Sequence, residues 1–150
     1  MGFVSSVAGS RQKLLLFVTS CLAFVAMGIA QSMYGPFYPL FRAKFHLSAS
    51  EVATITALHF AGATIAVAAS GFLSRKVGAF PVVTSAAALL SLGYLGIAGS
   101  GGWTLVLLST TILGVGFGGL VFLNFLIARV YPVYAASALS LLNALFSLGS

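Results

Sequence analysis

Apolar residues run almost unbroken through five stretches of this chain: about Leu14–Phe37, Ala49–Leu73, Phe80–Ala98, Trp103–Ile127 and Ala135 to Ser150. Polar residues gather between them. Crossing the hydrocarbon of a bilayer takes about 20 apolar residues as a helix. In that medium the backbone must satisfy its own hydrogen bonds, so each run predicts a transmembrane α-helix. A membrane β-barrel would show short alternating segments, and the sequence has none. The expected fold is an all-α, polytopic transmembrane helix bundle, with residues 1–150 as a single transmembrane domain. The last run reads as cut short at Ser150.

The breaks carry their own chemistry. Pro36 and Pro39 interrupt the first run. Ser48-Ala-Ser-Glu51 has the form of a capping box, in which serine caps the backbone and glutamate reaches back. That puts Glu51, the one acid of the chain, at the water interface. Pro81 falls where a helix begins and a missing N–H costs little. Gly99-Ser-Gly-Gly102 is a tight link, and Tyr131-Pro132 ends the fourth helix.

Composition sharpens the class. Hydrophobic residues make up 60% of the chain and charged residues 5%, where soluble domains carry about 25% charged residues. The net charge of +6 does not indicate nucleic acid, because the cations form no basic stripe with interleaved aromatics. They stand at the ends of apolar runs, as insertion and anionic headgroups favour. Arg11, Lys13, Arg75, Lys76 and Arg129 fall on one side, Arg42 and Lys44 on the other. The positive-inside rule then puts the N-terminus in the cytoplasm, in a cell (inner) membrane, with the lipid bilayer as first partner. Burying Arg75 and Lys76 at mid-bilayer would cost roughly 5–7 kcal/mol, so they are expected in a cytoplasmic turn. Arg11 and Lys13 also resemble a signal peptide's basic region. The run after them exceeds the roughly 7–15 residues of a signal core, so an uncleaved first helix is expected. A lone Cys21 excludes an internal disulfide and a multi-cysteine metal site.

Between membrane helices, small residues mark close contacts. The second helix carries two such rows, Ala53, Ala57, Ala61 and Gly62, Ala66, Ser70. The fourth carries Gly114-Val-Gly-Phe-Gly118-Gly119. Those glycines have phosphate-loop spacing, but no strand precedes them and no helix starts there, so packing at Gly62, Ala66, Gly114 and Gly118 is the reading. Polar residues also share faces. Ser20, Phe24, Met27, Gln31, Tyr34 and Tyr38 line one side of the first helix. Thr110, Gly114, Phe117, Val121 and Asn124 line one side of the fourth, and Asn143 lies in the fifth.

An amide in hydrocarbon needs a partner. These faces are therefore expected to point inward, either to a polar, aromatic cavity that binds a small molecule or to interhelical hydrogen bonds. The substrate-binding candidates are Gln31, Tyr34, Tyr38, Asn124 and Asn143. His59 is a lone imidazole at membrane depth, a hydrogen bonder or a haem or pigment ligand. Buried carboxylates, common in proton-coupled carriers, are absent at that depth. No hydrolase triad or metal-ligand spacing occurs, so neither an enzyme nor a cofactor or metal is expected.

Residues 71–82 carry a resemblance. Gly71, Leu73, Ser74, Lys76 and Gly78 match the pattern G-x-L-[AS]-D-R-x-G-R-[RK] of the loop between the second and third helices of major facilitator superfamily (MFS) transporters. Arg75 stands where that pattern has aspartate, Ala79 where it has arginine, and Thr110 where the fourth helix often has arginine. YGPFYPLF at 34–41, the Ser48 region, GVGFGG at 114–119 and LNALFSLG at 142–149 are similar to other family elements in the same order.

The resemblance implies a secondary transporter of a small organic solute, working by alternating access between two six-helix halves of about twelve helices. This chain would supply the first five. The remaining helices of a full-length transporter, or a second chain, would complete it. Gly71, Arg75, Lys76 and Gly78 would be a gating loop. With arginine in the aspartate's place, contact with a helix N-terminus turns repulsive and contact with a C-terminus favourable. The alternative is a non-transporting membrane scaffold, or a helical subunit carrying haem or pigment at His59.

Overall fold

The computed structural model describes residues 9–150; residues 1–8 of the expected domain lie outside the described residues. It consists of helices α1 (Ser10–Ser32), α2 (Tyr34–Phe45), α3 (Ala49–Val77), α4 (Ala79–Ala98), α5 (Trp103–Val130) and α6 (Ala135–Gly149), with a short 3-10 turn at Pro132–Tyr134. Five segments are long and apolar enough to cross a membrane: Ser10–Phe45, Ala49–Val77, Ala79–Ala98, Trp103–Val130 and Pro132–Gly149. The all-α, multi-pass fold expected from the apolar runs is the one found.

Helix ends follow local chemistry. The prolines of the first run do not end it. α1 gives way to α2 at Met33, Pro36 falls in the first turn of α2, and Pro39 stands inside it. A first-turn proline lacks only an N–H that would be orphaned anyway, while Pro39 withholds one bond from the helix interior. α2 closes at His46, whose φ of 55° is left-handed, with the Leu47 N–H returning to the Arg42 carbonyl at 3.1 Å. That is the usual helix-ending device of a left-handed residue and a six-to-one bond.

α3 then opens on the anticipated capping box. The Ser48 N–H donates to Glu51 Oε2 at 2.8 Å, and the Glu51 N–H donates to Ser48 Oγ at 3.3 Å. At the far end α3 continues past Leu73 to Val77, so Arg75 and Lys76 lie in its last helical turn. Nothing between Leu73 and Val77 breaks a helix, and cations suit its negative end. The turn itself is Gly78 alone, at φ 90° and ψ 164°, a conformation that costs glycine little and other residues much.

The helices form two compact units. Of the described residues, one takes in those from Gly9 to Tyr34 together with Leu123–Ser150; the other is Gly35–Phe122. In the first unit α1 packs on α6. The backbone of Gly28 meets the Phe146 carbonyl, and Gly149 meets the Val25 carbonyl, with no room for a side chain at either point. Met27 and Leu142 are buried, and Phe17 meets Tyr131 edge-on at 5.7 Å.

In the second unit α5 has two packing stripes. Gly114 and Gly118 press on the carbonyls of His59 and Ala63 in α3, while Gly116 presses on Leu90 and Ala86 in α4. From α4, Gly93 returns the contact against Leu113. Of the two small rows in α3, Gly62, Ala66 and Ser70 are buried, and Ala53, Ala57 and Ala61 are exposed. α2 contributes an aromatic row: Phe41 and Phe45 approach Trp103 at 6.5 and 5.9 Å. Beside it, Lys44 Nζ donates to the Ser100 carbonyl at 3.0 Å.

Candidate functional site

The face of the first span grades from dry to polar. Ser20, Phe24 and Met27 are buried, and Gln31, Tyr34 and Tyr38 are half-buried. Gln31 lies in the last turn of α1 and Tyr34 begins α2. Asn124 is half-buried in α5, and Asn143 is exposed on α6. Gln31, Tyr34, Asn124 and Asn143 belong to the first unit, Tyr38 to the second.

Hydroxyls and amides behave differently in these helices. Ser20 donates to the Leu16 carbonyl at 2.7 Å, Ser70 to Ala66 at 2.7 Å and Thr110 to Val106 at 2.8 Å. A hydroxyl proton can use the second lone pair of a carbonyl one turn back. An amide oxygen has no such recourse, because a helix interior offers no spare N–H. Accordingly Gln31 Oε1 and Asn124 Oδ1 are buried without a hydrogen-bond partner among the described residues. Both sit in the first unit, and both require a donor from elsewhere. Periodicity alone marks these residues as inward but does not distinguish them from the self-satisfied hydroxyls.

His59 is 1% exposed. The rings of Phe60 and Phe117 meet it edge-on at 5.2 and 5.0 Å. Among the described residues no group of three or more His, Cys, Asp or Glu could hold a metal ion.

At the α3–α4 turn, Gly71, Arg75 and Lys76 are exposed and Gly78 is half-buried. Lys76 Nζ lies over the Phe72 ring, 4.6 Å from its centre, and open space surrounds Gly71. The second unit also holds a cleft of about 350 Å³ between the N-terminal halves of α3 and α5, lined by Glu51, Thr54, Ala57, Leu58, Trp103 and Leu107. Sequence reasoning missed it, and none of the predicted binding residues lines it. Its one signal was Trp103 at the head of a helix, beside the exposed small row of α3.

Residues 20–150 match the sequence profile described as Major Facilitator Superfamily. No curated protein and no solved structure matches the chain.

Proposed function

The chain belongs to the major facilitator superfamily, a family of membrane transporters, and from that premise we propose that it serves in moving a small organic solute by alternating access. The family match over residues 20–150 carries this reading. Two further features support it. The first span turns a polar strip inward, and two buried amide oxygens, on Gln31 and Asn124, await a donor. A water-filled path or a solute can supply that donor; a lipid tail cannot.

In this reading Gln31, Tyr34, Asn124 and Asn143 contribute to the solute path, and further helices, in the same protein or a partner, provide its other wall. The last turn of α3 and Gly78 form the cytoplasmic gate, with the N-terminus in the cytoplasm of a cell membrane. Arg75 and Lys76 face headgroups and water there, where Lys76 covers its own Phe72 ring. Gly62, Ala66, Gly114 and Gly118 hold α3 and α5 close enough to move as one body.

Alternating access is tested with a single cysteine at position 31, in a variant whose Cys21 is alanine. A membrane-impermeant thiol reagent is applied to right-side-out and to inverted vesicles. Reaction from both sides is expected, since the residue would face each compartment in turn. Reaction from one side only, across solute gradients of either sign, would contradict the mechanism.

A further inference from the structure

The cleft between the N-terminal halves of α3 and α5 lies within the second unit and takes no part in the solute path proposed above. Its lining is ordered along the helix axes. Glu51 stands in the first turn of α3 and Trp103 begins α5, while Ala57, Leu58 and Leu107 line the cleft further along. Glu51 and Leu58 are seven residues apart, about 10 Å along the axis. The Ala49–Val77 span begins at the Ser48 cap. A headgroup layer is roughly 5–8 Å deep on each side of the hydrocarbon, and tryptophan favours that level. The cleft therefore runs from headgroup level into the upper hydrocarbon, polar end first, in the order in which a lipid presents its head and its chain.

Glu51 gives the polar end its charge. The Ser48 N–H and the Ser48 hydroxyl both donate to Oε2, at 2.8 and 2.7 Å, and Oε1 takes no bond from the described residues. The cations nearest in the chain are engaged elsewhere: Lys44 Nζ donates to the Ser100 carbonyl and Arg42 Nε to the Leu47 carbonyl. A cation that donates N–H would complement the open oxygen, and the face of the Trp103 ring attracts the same charge.

We propose that the cleft holds a membrane lipid with an ethanolamine headgroup, its ammonium on Glu51 beside Trp103 and an acyl chain along Ala57, Leu58 and Leu107. Phosphatidylcholine has the positive charge but no N–H to give, and a purely anionic headgroup meets a like charge. The volume of about 350 Å³ is at the small end of ligand pockets, which run from roughly 300 to 1,000 Å³. It suits the headgroup end of one chain rather than an entire lipid. The site is independent of what the protein transports.

The test is photocrosslinking of the full-length protein in phosphatidylcholine nanodiscs. Each preparation carries a trace of phosphatidylethanolamine, phosphatidylcholine or phosphatidylglycerol with the same diazirine-bearing chain, or of a diazirine-bearing dodecylammonium. Labelled segments are mapped by mass spectrometry. The ethanolamine lipid should label residues 54–58 and 103–107 up to about tenfold more than the choline lipid, for one charge-assisted hydrogen bond, and the glycerol lipid least. Glu51→Gln keeps the capping box, which glutamine also serves, but removes the charge, and should bring ethanolamine and choline lipids to equal labelling. Ala57→Phe should fill the cleft and lower all labelling there. Ala53→Phe, on the same exposed row but outside the cleft, should not.

Equal labelling by the ethanolamine and choline lipids in the parent, or a preference that survives Glu51→Gln, overturns the headgroup assignment. Labelling by dodecylammonium with the ethanolamine lipid inert gives the cleft to a free organic ammonium and overturns the lipid. No labelling of either segment by any probe means that another helix fills the cleft, which overturns the proposal and leaves the transport reading standing.

Discussion

Gly114 of α5 lies against the backbone carbonyl of His59 in α3, and a Cβ at that position would collide with the carbonyl carbon and oxygen. The obstacle is backbone, which cannot swing aside as a flexible side chain can. Gly114→Ala should therefore push the two helices apart. Overpacking of this kind costs about 1–3 kcal/mol, more than the roughly 1 kcal/mol that alanine gains over glycine in a helix. Gly71→Ala is the matched control, since open space surrounds Gly71, and it should be neutral or stabilising. Thermal unfolding of the detergent-solubilised protein separates the two, and equal melting temperatures would refute the packing account.

The orphan amides should cost stability. Replacing Gln31 by leucine removes a buried acceptor that lacks a partner among the described residues, and relief of that desolvation is worth about 1–3 kcal/mol. Gln31→Leu is expected to melt higher than the parent while transporting less. A residue kept only for structure would not divide the two readouts in this way. A variant that is both less stable and less active would show that Gln31 has a structural partner.

Gly78 joins α3 to α4 at φ 90° and ψ 164°. An L side chain is strained there by about 1–3 kcal/mol, so Gly78→Ala should lower the melting temperature. Gly99, by contrast, has φ −86°, and Gly99→Ala should have a smaller effect. Comparable losses at both positions would contradict the role given to the left-handed glycine.

The Ser48–Glu51 capping box starts α3 with reciprocal bonds of 2.8 and 3.3 Å. Ser48→Ala should destabilise by about 0.5–2 kcal/mol. Hydrogen exchange should speed up at the first amides of α3 and not at its centre. Unchanged exchange at the helix start would show that the cap contributes nothing.

The spans were legible because runs of about 20 apolar residues admit one solution in a bilayer. The Ser48 cap was legible because its signal is local, four residues long and unambiguous. The apolar run puts the end of α3 at Leu73, because Arg75 and Lys76 look like a loop in sequence. Cations are at home in a last helical turn, and only the φ of Gly78 fixes where the chain bends. The continuation of the first span through Pro39 was likewise hidden, since one missing hydrogen bond does not outweigh the rest of α2. The period of the helices groups Gln31 with Ser20, yet hydroxyl and amide differ in what their own backbone can give them. That difference needs coordinates. Asn143 makes the same point: the sequence marks it as polar within an apolar run, and only the structure shows that α6 packs through Ala138 and Leu142 and leaves Asn143 exposed.

The central claim is that the Gln31–Tyr34 end of the first span borders a water-accessible solute path. It is tested most directly by a cysteine scan of that span with a membrane-impermeant thiol reagent, in the variant lacking Cys21. Leu22 and Ile29 provide the reference, being 65% and 51% exposed on the opposite side of the helix. The account predicts rapid reaction at positions 31 and 34, slowed by a transported solute, and little or none at 22 and 29. Equal reactivity at all four positions, or none at 31 and 34, would contradict it.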